Sequence, residues 1–355
     1  MATAQDRLRV ALWNIDLERA GPGLLLRDIL RGDDPQIAAA TRVLAALDAD
    51  ILILTGFDAD IRQTSLTAFG ATLARAGMSY PHRHQPMGNA GRPTGLDADG
   101  DGRLSEAADA QGWGRFPGAG GTAILSRHPL RTDLAQDHSA FLWRDLPGHL
   151  MPPGTDPAVA AVQRLSSHSH LILPVDIGDR RLTLLIWHAT PPAFDGPEDR
   201  NGRRNHDEAA FWLHLLSGTL PMAPPDAPFV LAGDANLDPL DGDGLPAALG
   251  ALLSHPALQD PRPRGSHGRS EPAHDGDPAL DTAIYDDLGG LRLDYLLPSA
   301  DLRLSGAGVL WPSSDAPLAA DLARASHHYP VWIDIAPSDG RPRAAPSDSS
   351  AITNW

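Results

Sequence analysis

The sequence predicts an α/β protein in which mixed β-sheets are covered by helices. Apolar segments of strand type alternate with helical segments up to about residue 77, and strand segments crowd together later in the chain. Hydrophobic residues make up 42% and charged residues 21% of the chain, as in soluble globular proteins. With 355 residues and no linker-like stretch, we predict one domain over residues 1–336.

The secondary-structure elements follow from short apolar runs and from helix-start signals. Asp34 and Pro35 offer an N-cap and a first-turn proline, and Ile37, Leu44 and other apolar residues then share one helical face. Further helices are predicted at about 65–77 and 205–217. Strands are predicted at residues 8–15, 51–54, 122–126, 170–175, 181–187, 228–232, 292–297 and 331–335.

Three segments have no apolar period. Residues 81–120 are rich in Gly, Asp and Pro and are predicted to be a long functional loop or an insertion, and residues 254–290 are another polar loop region. Residues 337–355 are predicted to be a disordered tail.

At the N-terminus, Ala2-Thr3-Ala4 fits the small-x-small pattern before a signal-peptidase cut, so we expect a secreted or periplasmic protein whose leader was trimmed. The alternative is an ordinary Ala-rich N-terminus of a cytoplasmic protein.

Charge and composition narrow the function classes. The formal net charge is −16, and every basic residue is Arg, so the broad basic surface of a protein that mainly grips nucleic acid is missing. A bound metal could offset local negative charge, which leaves nucleic-acid chemistry open. Cys is absent, which excludes disulfides and thiolate metal sites. No apolar run approaches the roughly 20 residues of a membrane span.

The strand predicted at 228–232 ends in Gly233, followed by Asp234 and Asn236 two residues apart. Side chains at positions i and i+2 of an extended segment point the same way, so both can face one reacting centre. Other polar residues lie at or near strand ends: Asn14, Asp58, His188, Asp294 and His328. A single Asn or Asp at such a place is typical of a turn, and a single His of a structural role. Together they offer oxygen ligands suited to Mg²⁺, Mn²⁺ or Ca²⁺ and two groups suited to proton transfer or phosphate binding.

The order of these motifs resembles the endonuclease/exonuclease/phosphatase superfamily, which has the deoxyribonuclease-I-like fold. The matching segments, which span nearly the whole chain, are Trp13-Asn14, Gly121–Arg127, His188–Pro192, Gly233–Asn236, Arg292–Tyr295 and Ser326–Val331. The resemblance implies a four-layer sandwich of two mixed β-sheets flanked by helices, and metal-assisted cleavage of a phosphoester in a cleft between the sheet edges.

The resemblance also implies a role for each candidate residue. Asn14 and an acid near the second strand would hold Mg²⁺ or Mn²⁺. Asp234 and Asn236 would position or activate the attacking water. His188 and His328 would stabilise charge on the non-bridging oxygens, with Asp294 hydrogen-bonded to His328.

The chain departs from the superfamily pattern at two positions. Gly56 stands where the metal-binding Glu is expected, and Asp58, two residues later, is the candidate replacement. His327 stands where the usual Ser-Asp-His has its Asp. Both changes remove an acid, so a weakened metal site or a different metal or substrate is expected.

A second metal site is predicted in the 81–120 segment. Residues 97–105 match the first nine positions of an EF-hand loop, with Asp at positions 1, 3 and 5 and Gly at position 6. The bidentate Glu of position 12 is missing, and Asp109 follows one residue later. We expect a structural Ca²⁺ whose ligands are Asp97, Asp99, Asp101, the Arg103 carbonyl and Asp109. The alternative is a solvated acidic loop.

Residues 199–208 combine three arginines with three acids at the start of a predicted helix. The arginines could meet an anionic substrate, or they could form salt bridges with Asp199, Asp207 and Glu208.

The sequence therefore predicts a monomeric, divalent-metal-dependent hydrolase of phosphate esters. A phosphodiesterase or phosphatase acting on small or lipid-derived substrates is favoured over a nuclease by the charge of −16 and by the absence of interleaved aromatic and basic residues. The competing class is a non-catalytic, Ca²⁺-loaded scaffold whose metal site has decayed, which Gly56 and His327 would favour.

Overall fold

Two mixed β-sheets lie face to face with helices on their outer surfaces in residues 7–337, the part of the chain that the computed structural model describes. The proposed leader remnant at residues 2–4 and the proposed tail beyond residue 337 lie outside this range. The expected α/β sandwich is confirmed.

The strands match the predicted ones at most positions and add several short ones. They are β1 (Leu8–Leu17), β2 (Ile51–Phe57), β3 (His82–His84), β4 (Ala123–Ser126), β5 (Gln136–Asp137), β6 (His170–Ile177), β7 (Arg180–His188), β8 (Phe229–Asp234), β9 (Ala283–Tyr285), β10 (Gly289–Leu291), β11 (Asp294–Pro298), β12 (Leu304–Val309) and β13 (Val331–Ile335).

The helices include the three predicted ones. They are α1 (Leu24–Arg31), α2 (Pro35–Leu47), α3 (Thr64–Arg75), α4 (Pro157–Val162), α5 (Arg200–Leu216), α6 (Ala247–Leu253) and α7 (Ala319–Ala325). Helix α2 begins where its cap predicts, because the Asp34 side chain accepts hydrogen bonds from the amides of Gln36 and Ile37. Helix α5 begins five residues before the predicted start, since the polar turn Arg200–Arg204 is itself helical.

The strand order places the strands that carry most of the candidate site residues in the middle of their sheets. One sheet has the order β12-β13-β1-β2-β4-β3, and the other has the order β11-β8-β7-β6-β5. Strands β1 and β2 run parallel, as do β7 and β8, so Asn14 lies beside Thr55 and His188 lies beside Asp234. Because parallel strands end at the same edge of a sheet, each sheet contributes a pair of neighbouring strand ends.

The alternation of side chains along β8 separates the layers. Val230 and Ala232 belong to the apolar cluster between the two sheets, whereas Phe229 and Leu231 belong to the cluster under α5 and α6. Helices α2, α3 and α7 cover the outer face of the six-stranded sheet. The result is four layers: helix, sheet, sheet, helix.

The polar stretches contain more structure than their sequences suggest. Residues 81–120 contribute the short strand β3, and residues 254–290 contribute the hairpin strand β9. Strand β12 was missed because its glycines resemble a loop, yet it pairs antiparallel with β13. In the described range, no helix combines the length and apolar character needed to cross a membrane.

Candidate active site

Asp234 is the fully buried centre of the site. Its Oδ2 accepts a hydrogen bond from Asn14 Nδ2 at 2.9 Å, and its Oδ1 accepts one from the Asn236 amide at 3.0 Å. The preceding Gly233 is needed here, because a Cβ on it would lie 1.8 Å from Trp187 Nε1. Burial raises the pKa of Asp234, against the opposing effects of His328 and Asn14. The bond from Asn14 joins β1 of one sheet to β8 of the other.

Asp294 and His328 form a buried pair beside Asp234. Asp294 Oδ2 lies 2.8 Å from His328 Nδ1 and also accepts a hydrogen bond from the Thr282 hydroxyl at 2.8 Å. Burial disfavours the charge of His328, but the carboxylates of Asp294, Asp234 and Asp16 outweigh it and raise the pKa of His328 to about 10. The expected hydrogen bond between Asp294 and His328 is therefore present, and the imidazole is a cation at neutral pH.

His188 lies on the other side of Asp234, with its Nε2 3.5 Å from Asp234 Oδ2. Its ring stacks on His168 with centroids 3.8 Å apart. Burial, followed by the charge of His328, lowers the pKa of His188 to about 3. His188 is thus neutral at neutral pH and differs in charge from His328.

Asn236 ties strand ends together. Its backbone has a φ of 49°, in the left-handed region that Asn tolerates better than most residues. Its Nδ2 donates to the Ala189 carbonyl at 2.9 Å, so the side chain bridges the ends of β7 and β8.

The wall of the site formed by β1 and β2 is irregular. The pairing register shifts between Asn14 and Leu17, and both Asp16 and Gly56 have positive φ values at this bulge. A Cβ on Gly56 would lie 2.2 Å from Asn14 Oδ1. A side chain at position 56 is therefore incompatible with this backbone, and no acid stands in the place of the expected Glu.

Asp58 is buried and acts as a clamp between two loops. Its Oδ2 accepts a hydrogen bond from the Arg19 amide at 2.9 Å, and its Oδ1 accepts one from the Gly120 amide at 3.0 Å. Asp58 therefore does lie at this wall, as expected, but each carboxylate oxygen already serves a backbone amide.

Glu18 is a second acid at the same wall that the sequence analysis missed. Its Oε1 lies 2.4 Å from where a Cβ on Gly120 would stand. Glu18 is exposed as a residue, but partial desolvation of its carboxylate, followed by the charges of Asp58, Asp16 and Asp234, raises its pKa to about 7. With Asp16 and His327, this residue lines a cavity of about 390 Å³. The alternation of β1 is broken at the bulge, so spacing from Asn14 could not identify Glu18.

His327 occupies a salt-bridge position in place of the expected Asp. Its Nδ1 lies 2.9 Å from Asp16 Oδ2, and its backbone amide also donates to that oxygen at 2.9 Å. Its ring stacks on Tyr285, a second residue that the sequence analysis missed.

Two clusters of three acidic or histidine side chains in the described residues could hold a metal. Asp234, Asp294 and His328 offer ligand atoms within 4.8 Å of one another, as do Asp97, Asp99 and Asp109. In the second group, Asp109 is buried, and its two carboxylate oxygens accept the amides of Ala98 and Glu106. Asp101 instead accepts the amide of Arg103 and does not join the group.

Arg204, at the arginine-rich start of α5, has neither of the two roles predicted for the arginines of this segment. This residue is buried and donates to the carbonyl oxygens of Leu165 and Ser166 at 2.8 and 3.0 Å. Four residues later, Glu208 accepts the Thr190 amide at 2.7 Å and the Ser167 hydroxyl at 2.8 Å. Together they hold the loops that carry His168 and His188.

Comparison with known proteins agrees with this architecture. The family model described as the Endonuclease/Exonuclease/phosphatase family matches residues 11–348. No curated protein matches the sequence significantly. An endonuclease/exonuclease/phosphatase from Beutenbergia cavernae DSM 12333 has a similar structure, with a TM-score of 0.53, 19% identity, and coverage of 93% of this chain and 72% of that chain.

Two further solved structures are similar over almost their whole length. An endonuclease/exonuclease/phosphatase family protein from Leptotrichia buccalis C-1013-b has a TM-score of 0.50 and 15% identity, covering 92% of this chain and 99% of that one. Sphingomyelinase C from Streptomyces griseocarneus has a TM-score of 0.50 and 16% identity, with the same coverage of 92% and 99%. At these identities the similarity defines the fold.

Proposed function

The chain belongs to the endonuclease/exonuclease/phosphatase family of phosphate-ester hydrolases, and on that premise we propose that it is a divalent-metal-dependent phosphodiesterase or phosphatase. The observation that carries this proposal is the buried group of Asp234, Asp294 and His328 at the meeting point of both sheets. A buried carboxylate beside a charged imidazole offers an acceptor for a water proton and a cation for phosphate oxygens.

The donor set around Gly56 is of the kind that Mg²⁺ or Mn²⁺ binds. Asn14 supplies an amide oxygen at the bulge, and Asp58 and Glu18 supply carboxylates at the same wall. Oxygen ligands suit these ions, which commonly use one or two carboxylates and complete their shell with water. Bound there, a divalent ion would neutralise charge on the phosphate. We propose Asn14 and Asp58 as holding residues, as the sequence predicts, with Glu18 as an additional carboxylate.

The chain's own residues perform the remaining tasks. Asp234 accepts the proton of the attacking water as the oxygen of water bonds to phosphorus and the ester oxygen leaves. Asn236 fixes the strand end that carries Asp234 through its bond to the Ala189 carbonyl. His188 is a neutral hydrogen-bond donor and His328 is a cation, and this donor and this positive charge together stabilise the negative charge on the phosphoryl oxygens.

The substrate class that we propose is a small or lipid-derived phosphate ester. The net charge of −16 supports this choice, because a polyanionic backbone would be repelled over most of the surface. An extracellular nuclease is the alternative within the family. A non-catalytic scaffold is the alternative outside it, and the missing side chain at Gly56 is the observation that favours it.

A panel of substrates tests these alternatives. The purified protein would be assayed with bis-p-nitrophenyl phosphate, p-nitrophenyl phosphate and plasmid DNA, each with Mg²⁺, Mn²⁺ and Ca²⁺. We expect turnover of a p-nitrophenyl ester with Mg²⁺ or Mn²⁺ and weaker cleavage of DNA. Preferred cleavage of DNA would support the nuclease. The absence of turnover for every combination of substrate and metal ion would support the non-catalytic scaffold.

We also propose that residues 97–109 bind a structural Ca²⁺. Asp97, Asp99 and Asp109 supply carboxylates within 4.8 Å of one another, and Asp109 takes the place of the missing EF-hand Glu. Calorimetry should show a saturable Ca²⁺ site that Asp99→Ala removes. A parent protein that gives no heat with Ca²⁺ would identify the segment as a solvated acidic loop.

A further inference from the structure

The buried pair of Asp294 and His328 extends to a third residue. His328 Nδ1 lies 2.8 Å from Asp294 Oδ2, and His328 Nε2 lies 2.9 Å from the Tyr285 hydroxyl. The three side chains form a continuous hydrogen-bonded chain of carboxylate, imidazole and phenol. Both ring nitrogens of His328 are thereby occupied, so no nitrogen of this histidine is left to contact a substrate directly.

The direction of this chain follows from the surrounding charges. The carboxylates of Asp294 and Asp234 both lie within 4.8 Å of a ring nitrogen of His328, and two negative charges at this distance favour the cationic ring, in which both nitrogens are donors. The Nε2–H therefore donates to the Tyr285 oxygen, and the hydrogen of the phenol is left for another acceptor. Burial, with the charges of Asp234, Asp16 and Asp294, raises the pKa of Tyr285, so the phenol keeps that hydrogen.

The hairpin of β9 and β10 fixes Tyr285 beside His327 and His328. Ala283 forms a β-bridge to His328, and the Ile284 amide donates to the His327 carbonyl at 3.0 Å. The Tyr285 ring stacks on His327 with centroids 5.7 Å apart. Tyr285 is partly exposed, whereas His328 is buried. A group that approaches from solvent therefore meets the phenol before it meets the imidazole.

We propose that Tyr285 is the catalytic residue that donates a hydrogen bond to a phosphoryl oxygen of the substrate, and that His328 and Asp294 polarise it from behind. The inference rests on the proposed function, because it deepens the same site. The charge of His328 reaches the phosphate through the phenol hydroxyl, which becomes a stronger donor when its oxygen accepts the Nε2–H. The hydrogen bond strengthens as negative charge develops on the phosphoryl oxygens, so it acts mainly in the transition state.

Tyr285→Phe removes the hydroxyl and keeps the ring that stacks on His327. We expect kcat for bis-p-nitrophenyl phosphate to fall by about 10²-fold, the typical effect of losing one such donor, while KM changes by less than about 3-fold. Vanadate, which mimics the transition state, should bind the variant weakly by calorimetry, and inorganic phosphate should bind it nearly as well as the parent. Tyr329→Phe is the matched control, because Tyr329 adjoins His328 in sequence but stacks on Trp311.

The outcomes separate the inference from the proposed function. A parent that neither hydrolyses phosphate esters nor binds vanadate would contradict both. An active parent whose kcat and vanadate affinity survive Tyr285→Phe would overturn only the role of Tyr285. An increase in kcat/KM in this variant would also overturn it, since the phenol would then be a cap that substrate must displace.

Discussion

The two walls of the cleft differ in how firmly their side chains are held. The β7–β8–β11 wall carries His188, Asp234 and Asp294, and each of these buried residues lies in a fixed contact with a neighbour or with His328. The β1–β2 wall carries Asn14, Gly56 and Asp58, and here a bulge and a missing side chain break the expected pattern. A reacting water must be positioned by firmly held side chains, such as those of the β7–β8–β11 wall. A metal ion that completes its coordination shell with water tolerates a less regular wall, such as that of β1 and β2.

The largest effect should come from substitution of Asp234, at the centre of the β7–β8–β11 wall, which we call the regular wall. Asp234→Asn keeps the size of the side chain but removes its ability to accept a water proton. We expect kcat for bis-p-nitrophenyl phosphate to fall by about 10³-fold or more. The control is Asp226→Asn, an exposed acid on the loop before the same strand, which should leave kcat unchanged. Activity that survives in Asp234→Asn would mean that the chemistry takes place elsewhere.

Substitutions in the irregular β1–β2 wall should change the affinity of the protein for the metal ion. Mn²⁺ binding would be followed by electron paramagnetic resonance in an Asp99→Ala background, so that the 97–109 loop does not contribute. Glu18→Gln should weaken Mn²⁺ binding about 10-fold without changing the melting temperature, since Mn²⁺ prefers carboxylate ligands and the Glu18 side chain makes no hydrogen bond within the described part of the chain.

Asp58→Asn provides the contrast at this wall. It should lower the free energy of unfolding by about 1–3 kcal/mol, because an amide group would face two backbone donors that the carboxylate now satisfies. A Glu18→Gln variant that binds Mn²⁺ as the parent does would leave Asp58 as the acid of this wall.

Restoring the family's acid should not repair the wall. Gly56 has a φ of 65°, and a Cβ on it would lie 2.2 Å from Asn14 Oδ1. Gly56→Glu should therefore destabilise the protein by about 1–3 kcal/mol in chemical denaturation and should not tighten Mn²⁺ binding. Tighter binding with unchanged stability would show that the wall can adopt the family's usual geometry.

A further prediction concerns the pH dependence of stability at the β7–β8–β11 wall. The folded pKa of His328 is about 10, above its ordinary value of 6.5. The stabilisation from its charge is therefore complete below about pH 6.5 and is lost as the pH rises towards 10. Between these values the melting temperature of the parent should fall more than that of Asp294→Asn. Parallel curves for the two proteins would contradict the charged state of His328.

Sequence reasoning found the regular wall because its residues follow from strand ends. His188, Asp234 and Asp294 each lie at the boundary of a well-formed strand, and the parallel pairing of β7 and β8 brings the first two side by side. The mixed sheets covered by helices were likewise accessible, since the central strands are continuous apolar runs, whereas the four-layer sandwich was implied by the family resemblance.

The residues that were missed depend on contacts distant in sequence. Glu18 lies beyond the β1 bulge, where Asp16 has a φ of 52° and the alternation of side chains fails. Tyr285 lies in a three-residue strand within a polar stretch, too short to give a period. The clamp role of Asp58 depends on Gly120, which is 62 residues away in the chain.

The central claim is that the residues of the β7–β8–β11 wall hydrolyse phosphate esters with the help of a metal ion held by the β1–β2 wall. Its most direct test is the rate of bis-p-nitrophenyl phosphate hydrolysis by chelator-treated protein before and after Mn²⁺ is added. We predict a rate near background without the ion and recovery that saturates with Mn²⁺ concentration. A rate that stays at background at every Mn²⁺ concentration, or one that does not depend on the ion, would contradict the claim.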